Sequence, residues 1–124
     1  MRVAFNGENQ AIASIEELSF ALDRFDCESS FELCISASDA GPFLTMLRSA
    51  DHAWLMYMRF SGDDGFVTMG NQENQGVCKY RLSNGQIDEY PLSWCIDLEQ
   101  CYMAIAHFFV NDGARYDFVD WRVG

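Results

Sequence analysis

Two pairs of neighbouring carboxylates, Asp63-Asp64 and Asp88-Glu89, are the first candidates for acid–base chemistry in this 124-residue sequence. Two carboxyl groups can serve as general acid and general base when both face one substrate. Neighbouring residues of a strand point to opposite faces, so neither pair is placed to share a proton or flank a sugar. We therefore expect both pairs, and Glu73 in the polar loop 70–76, to be solvated charges available to a cationic partner.

Histidine and cysteine, the common metal ligands and nucleophiles, are not spaced for either role. His52 and His107 are 55 residues apart, and neither lies in an HxxxH or HExxH pattern. The five cysteines, at positions 27, 34, 78, 95 and 101, include no CxxC pair with zinc-ligand spacing. Cys101 and His107 fall on different sides of a predicted helix, and no GxSxG motif is present. We predict no catalytic residue, no metal and no cofactor, and hence a protein that is not an enzyme.

Two further binding chemistries are disfavoured by the sequence. The loop 70–76 (GNQENQG) is bracketed by glycines but lacks the GK[ST] of a phosphate-binding P-loop. Aromatic residues make up 15% of the chain, but the basic patch that nucleic-acid binding requires is missing. We therefore expect no nucleic-acid partner.

The charge balance is the most informative feature of the composition. Nineteen acidic residues face eight basic ones, which gives a net charge of −11, and Lys79 is the single lysine. The net charge of a small soluble domain is typically about 2–8 in magnitude. A strongly acidic surface repels nucleic acid and anionic membranes and attracts basic proteins. Two interpretations remain open at this stage: plain solubility, or a partner that is itself basic.

The cysteine count and the apolar runs indicate a cytoplasmic protein. Five is an odd number, and the first residues (MRVAFNGENQ) do not form an apolar signal segment. The longest apolar runs, such as Ala53–Met58, are too short to cross a bilayer. We expect no membrane association, and cysteines that act as small buried hydrophobic residues.

The first third of the chain predicts a strand, a helix and a second strand. Val3–Phe5 predicts a short strand that ends at Asn6-Gly7. Ser14 followed by Glu17 has the spacing of a capping box, which marks a helix start. Apolar residues then recur first at helical and later at strand spacing: Ile15, Leu18, Leu22 and Phe25, followed by Phe31, Leu33, Ile35 and Ala37.

The middle of the chain predicts strands at 43–49, 53–60 and 66–69. Trp54 and Met56 face one side of the second strand, and Leu55 and Tyr57 face the other. Because both sides are apolar, we place this strand centrally in a sheet. Trp54 and Tyr57 would become available as binding anchors if one face of that sheet is open.

The last third predicts a hairpin, a helix and a final strand. Strands 77–82 and 87–91 flank Asn84-Gly85, a dipeptide typical of a type I′ turn. A helix begins near Asp97 and ends with Gly113 at the left-handed C′ position. The final strand, 116–122, places Phe118 on an apolar face, and Phe109 and Trp121 are assigned to the core. The whole chain, 1–124, is therefore expected to be one α+β domain: an antiparallel sheet of about six to eight strands in a hairpin meander, packed with two helices.

Several segments near the C-terminus carry a family resemblance. They are Tyr90-Pro91-Leu92-Ser93-Trp94, the helix 97–110 (DLEQCYMAIAHFFV), Asn111-Asp112-Gly113 and Phe118-Val119-Asp120-Trp121. Together they resemble the immunity-protein family of bacterial polymorphic toxin systems, in particular the inhibitors of deaminase toxins. The helix 14–25 and the strand that starts at Gly65-Phe66-Val67 are similar to earlier parts of that family.

The resemblance implies a cytoplasmic inhibitor in competition between bacteria, whether contact-dependent or through secreted toxins. Its partner would be a basic, nucleic-acid-directed deaminase-type toxin whose zinc belongs to the toxin. The expected contact residues are Asp63, Asp64, Glu73, Asp88 and Glu89, with Trp54 and Tyr57 as anchors. The main alternative is an acidic adaptor or a secretion chaperone for an effector. A small enzyme whose site is assembled from residues assigned here to structure is a third.

Overall fold

Nine strands, two helices and one short 3-10 turn make up the computed structural model, which describes residues 1–124. In chain order they are β1 (Arg2–Phe5), β2 (Glu8–Gln10), α1 (Ile15–Phe25), β3 (Ser30–Ser36), β4 (Phe43–Ser49), β5 (His52–Met58), β6 (Phe66–Met69), β7 (Val77–Arg81), β8 (Ile87–Pro91), the 3-10 turn (Leu92–Trp94), α2 (Leu98–Val110) and β9 (Asp120–Val123). Seven strands form an antiparallel sheet in the order β2-β1-β3-β4-β5-β6-β9, and β7 pairs with β8 in a separate hairpin. The predicted α+β architecture is confirmed, and β5 is an internal strand as expected.

Side chains alternate between the two faces of the sheet along each strand. Both faces are apolar, and each packs against a different layer. One face, which includes Leu33, Ile35 and Leu55, packs against both helices in a core of 16 buried residues. The opposite face carries Leu47, Trp54 and Val67, which pack with Tyr80 of the β7–β8 hairpin. The molecule thus has three layers: helices, sheet and hairpin.

The start of α1 follows the predicted pattern with one shift. The Glu17 backbone N–H donates to Ser14 Oγ at 3.2 Å, so Ser14 is the N-cap. The Glu17 carboxylate accepts from the backbone N–H of Ala13 at 2.7 Å, one residue before the position of a standard capping box. Leu18 and Leu22 are buried on the predicted apolar face.

Helix α2 begins at the predicted capping box and ends at Val110, but its C′ residue is Asp112 and not Gly113 as predicted. Asp97 is its N-cap, and the Asp97 backbone N–H donates to Gln100 Oε1 at 3.4 Å. At the other end, Asp112 has a φ of 53° and occupies the left-handed C′ position. Gly113 is C″, and its N–H donates to Phe108 O at 2.8 Å in a Schellman motif. A Cβ at Gly113 would lie 2.6 Å from Pro42 Cγ, so glycine is required there by packing as well.

The two Asn-Gly turns differ from the sequence interpretation. Asn6 and Gly7 both have positive φ, as a type I′ turn requires, and they connect β1 to a short strand β2 that the sequence analysis did not predict. At the β7–β8 hairpin only Gly85 has positive φ, and its N–H donates to Leu82 O at 2.9 Å. This is a type I turn followed by a glycine bulge, so the prediction of a type I′ turn was wrong.

Two strand boundaries are also corrected. Strand β5 ends at Met58, two residues before the predicted limit, and Phe60 is 52% exposed. The final strand starts at Asp120, because the chain is still turning at Phe118. Phe118 is 84% exposed, so its assignment to an apolar strand face was wrong. Neither helix is long and apolar enough to cross a membrane.

Candidate functional site

The predicted contact residue Asp63 closes the β5–β6 turn and is not a free charge. Its carboxylate accepts from Arg59 Nε at 2.8 Å, Arg59 Nη2 at 2.9 Å and the Arg59 backbone N–H at 3.0 Å. Only 3% of the Asp63 side chain is exposed. These hydrogen bonds hold the pKa of Asp63 well below its ordinary value. Its neighbour Asp64 is exposed and forms no ion pair.

The other three acidic candidates lie in the loop 70–76 and the hairpin. Glu73 is exposed. Asp88 is half-buried and accepts from Gln86 Nε2 at 2.7 Å and from the Tyr90 hydroxyl at 3.1 Å. Glu89 is exposed and lies directly opposite Lys79 in the hairpin register. No hydrogen bond or ion pair joins any two of the five acidic candidates, so they form no common cluster through such contacts.

The two aromatic candidates belong to the packed interior. Trp54 is 4% exposed and lies 4.7 Å from Tyr90 and 5.0 Å from Trp94, measured between ring centroids. Tyr57 is half-buried, and its hydroxyl donates to Gly113 O at 2.7 Å. The anchor role required an open sheet face. The hairpin covers the face that holds Trp54, and helix α2 and its C-terminal turn cover that of Tyr57.

A groove of about 440 Å³ lies between the two helices, on the side away from the sheet. Its apolar lining comes from Leu22, Leu98, Tyr102, Met103 and Ala106. Three carboxylates, Asp23, Asp26 and Glu99, line the same groove, and no lysine or arginine does. An apolar floor with charges of one sign is the combination expected of a surface that binds a partner of opposite charge.

Arg48, whose side chain is 10% exposed, holds Asp26 of the groove lining. Arg48 Nη1 donates to Asp26 Oδ1 at 2.9 Å and to the carbonyl of Glu28 at 3.1 Å, and Nε donates to the carbonyl of Ala50 at 2.8 Å. The Tyr102 hydroxyl donates to the same Asp26 oxygen at 2.7 Å. Burial and this hydrogen bond raise the pKa of Tyr102. Asp26 is thus neutralised within the chain, whereas Asp23 and Glu99 form no ion pair.

Negative charge is concentrated in the helical segments. Residues 14–28 and 97–112 contain eight acidic residues and one basic residue, Arg24. The rest of the chain contains eleven acidic and seven basic residues. Large apolar side chains are also exposed on the helices: Phe20 at 71%, Met103 at 48% and Val110 at 61%.

The sequence analysis did not identify this surface, although its signal was present. Glu16, Ser19 and Asp23 occupy the outer face of the α1 pattern, and Glu99 lies in the first turn of α2, where the helix dipole favours an acidic residue. The packing of the two helices determines which residues line a shared groove. The apolar pattern of a single helix does not predict that packing.

A second groove, of about 520 Å³, lies at the start of α2 and is more polar. Its lining includes Asn71, Gln100, Asp120 and the exposed Phe118. Asn71 Oδ1 accepts from the Glu73 backbone, and Gln100 Oε1 accepts from the backbone at the start of α2. Two of its polar side chains are therefore already hydrogen-bonded to nearby backbone N–H groups.

The nucleophile candidates have no base beside them. Burial raises the pKa of the Cys101 thiol, which disfavours the reactive thiolate. The Cys95 thiol lies 3.2 Å from the Tyr80 hydroxyl, and burial raises the pKa of both groups. His107 Nδ1 lies 3.2 Å from Asn111 Nδ2. No group of three or more histidine, cysteine, aspartate or glutamate residues is placed to hold a metal ion.

Fold and groove together define an acidic α+β domain with an apolar groove between two helices. No protein-family model matches the chain, and comparison with curated proteins gives no significant match.

Proposed function

We propose that this chain is an immunity protein that binds and neutralises a cognate bacterial toxin, in particular a nucleic-acid-directed, deaminase-type toxin. The observation that carries the proposal is the concentration of negative charge around an apolar groove on the helical side. A toxin that acts on nucleic acid needs a basic surface to hold its substrate. An acidic protein that occupies this surface, or the active site beside it, excludes the substrate.

The charge and the groove support different parts of the binding process. A net charge of −11 speeds the encounter with a basic domain through electrostatic steering. Exposed apolar side chains such as Met103, once desolvated against the partner, slow dissociation. Fast capture and slow release are what an inhibitor needs when a single toxin molecule can damage the cell.

The proposal assigns no catalysis to this chain. The buried Cys101 and the bonded Tyr80–Cys95 pair fit packing roles better than nucleophilic roles. The zinc and the reaction would belong to the toxin. The inhibitor would act in the cytoplasm of the producing cell or its siblings, in competition between bacteria.

The test begins with the chain as bait in a lysate of its source cells, at low and at moderate salt. Each captured protein is expressed as an isolated domain and assayed for growth arrest and for deamination of nucleic acid. We expect one basic domain whose activity is lost when an equimolar amount of this chain is added. The matched control is an unrelated acidic protein of similar size and charge.

Three outcomes would contradict the proposal. A partner that retains full activity in the complex would exclude inhibition. A partner that stays unfolded while bound would instead indicate a secretion chaperone. Turnover of a small molecule by this chain, with no protein bound, would favour an enzyme.

A further inference from the structure

We propose that the groove between α1 and α2 seats a basic amphipathic helix of the partner. The apolar face of that helix would lie on Leu22 and Met103, and its lysine or arginine side chains would pair with Asp23 and Glu99. This inference rests on the proposed function and deepens it, because it names the element of the toxin that is held.

The dimensions of the groove suit an inserted row of side chains. Its volume of about 440 Å³ lies within the range of about 300–1,000 Å³ found for binding pockets. Two helices form its walls, so it is open along their length. Recognition of an amphipathic helix in such a groove uses anchors at i, i+3, i+4 and i+7. Met103 and Val110 are both exposed on α2, two turns apart, and extend the apolar surface in this direction.

The acidic residues of the groove favour a basic partner. Asp23 and Glu99 lack an ion pair, and no basic residue lines the groove. A basic helix would supply the missing partners. A second copy of this chain would bring its own acidic rim, and like charges placed together across an interface disfavour the complex. The groove therefore favours a basic partner over self-association.

Met103 adds adaptability to this surface. A methionine side chain is flexible and polarisable, so it fits irregular apolar surfaces. Asp26, which also lines the groove, is held by hydrogen bonds from Arg48 and Tyr102.

The first experiment uses a synthetic four-turn helix with a leucine stripe and lysine flanks. The controls are a scrambled peptide of the same composition and a peptide with glutamate in place of lysine. NMR shifts of the labelled chain locate the binding site, and fluorescence anisotropy gives the dissociation constant at low salt. We expect only the amphipathic lysine peptide to bind, with shifts confined to the residues of the groove.

Two matched sets of variants test the named residues. Asp23→Asn with Glu99→Gln removes two groove charges, and Glu8→Gln with Asp51→Asn removes two exposed charges elsewhere. We expect the groove pair to weaken peptide binding about tenfold and the control pair by less than about twofold. Met103→Ser should weaken binding, whereas Val123→Ser, at a residue that is also exposed, should not.

The same variants separate this inference from the proposed function. If the captured toxin is neutralised equally well by the Asp23→Asn, Glu99→Gln variant, the groove inference is wrong and the proposed function stands. If the peptide binds in the groove but no toxin is neutralised, the proposed function fails. Equal effects of the groove and control pairs, or shifts outside the groove, would overturn the inference. A dimer in sedimentation that the groove variants dissociate would show that a second copy is the occupant, and would overturn it as well.

Discussion

The hairpin layer and the helical layer cover opposite faces of one sheet, but they differ in their balance of acidic and basic residues. The hairpin segment 77–91 carries two basic and two acidic residues, and Lys79 lies directly opposite Glu89. The helical segments 14–28 and 97–112 carry eight acidic residues and one basic residue. The hairpin is therefore balanced within itself, and the helical surface is not.

This difference places the excess of negative charge on the helical layer. Lys79 and Glu89 face each other in the strand register without an ion pair, and opposite charges so placed contribute about 0.2–1 kcal/mol. Like charges on the helices repel each other, and that repulsion reduces stability until a basic surface covers them. The net charge of −11 alone does not locate the excess, whereas the charge of each structural layer does.

The hairpin side should show the largest effect on stability. Trp54 is 4% exposed between the sheet and the hairpin, so Trp54→Ala should lower the free energy of unfolding by about 3–5 kcal/mol. Urea denaturation followed by far-UV circular dichroism measures the change. Trp54→Phe should cost less, because Trp54 Nε1 is buried without a hydrogen-bond partner and its loss removes an unpaired donor. A small effect of Trp54→Ala would mean that the hairpin is not a packed layer.

The next effect should come from Arg48, which holds Asp26 of the groove lining. Arg48→Met keeps much of the side-chain bulk but removes the donor to the carbonyls of Glu28 and Ala50, and it leaves the Asp26 carboxylate with the Tyr102 hydroxyl and without its cation. We expect a loss of about 2–3 kcal/mol in the free energy of unfolding. Asp26→Asn should cost less, since Arg48 retains its carbonyl acceptors. Equal losses from the two variants would contradict this assignment.

The loss of stability at acidic pH tests whether Asp63 closes the β5–β6 turn. In the folded chain the pKa of Asp63 lies below its ordinary value of 3.8, because the ionised carboxylate accepts three hydrogen bonds from Arg59. The stabilisation is complete above that value and is lost as the pH falls below it toward the pKa in the folded state. Asp63→Asn should lower Tm at neutral pH, and the difference from the unchanged chain should shrink below about pH 4.

Asp64→Asn is the control for this titration. Asp64 is exposed and forms no ion pair, so its replacement should leave Tm nearly unchanged at every pH. If the two variants behave alike, Asp63 is a solvated charge as the sequence analysis expected. The measurement therefore decides between the two descriptions of this residue.

Local signals explain why much of the fold could be predicted from the sequence. The Ser14 cap, the Leu18–Leu22 spacing and the Asp97 cap depend on residues within one or two helical turns. The burial of Trp54 could not be predicted from local signals, because it is set by a hairpin that starts at Val77, 23 positions later in the chain. The prediction for Phe118 was wrong for a different reason: its apolar type is compatible with a strand, but the chain turns there.

The candidate site was harder to predict than the fold. Asp63 looked available because a turn sequence does not show that Arg59 folds back onto it. No sequence pattern links Asp23 to Glu99, since 76 positions separate them in the chain. Their association through one groove is a product of helix packing. Contact residues of this kind become visible only when the tertiary structure is known.

The smallest effect on stability should come from the groove charges themselves. Asp23 and Glu99 hold no ion pair, so Asp23→Asn with Glu99→Gln should change the free energy of unfolding by less than about 0.5 kcal/mol. Relief of like-charge repulsion makes a slight gain in stability the expected direction. Urea denaturation at low and high salt measures it, and the gain should disappear at high salt. A clear loss of stability would show that these carboxylates serve the fold and would remove the contrast between the two layers.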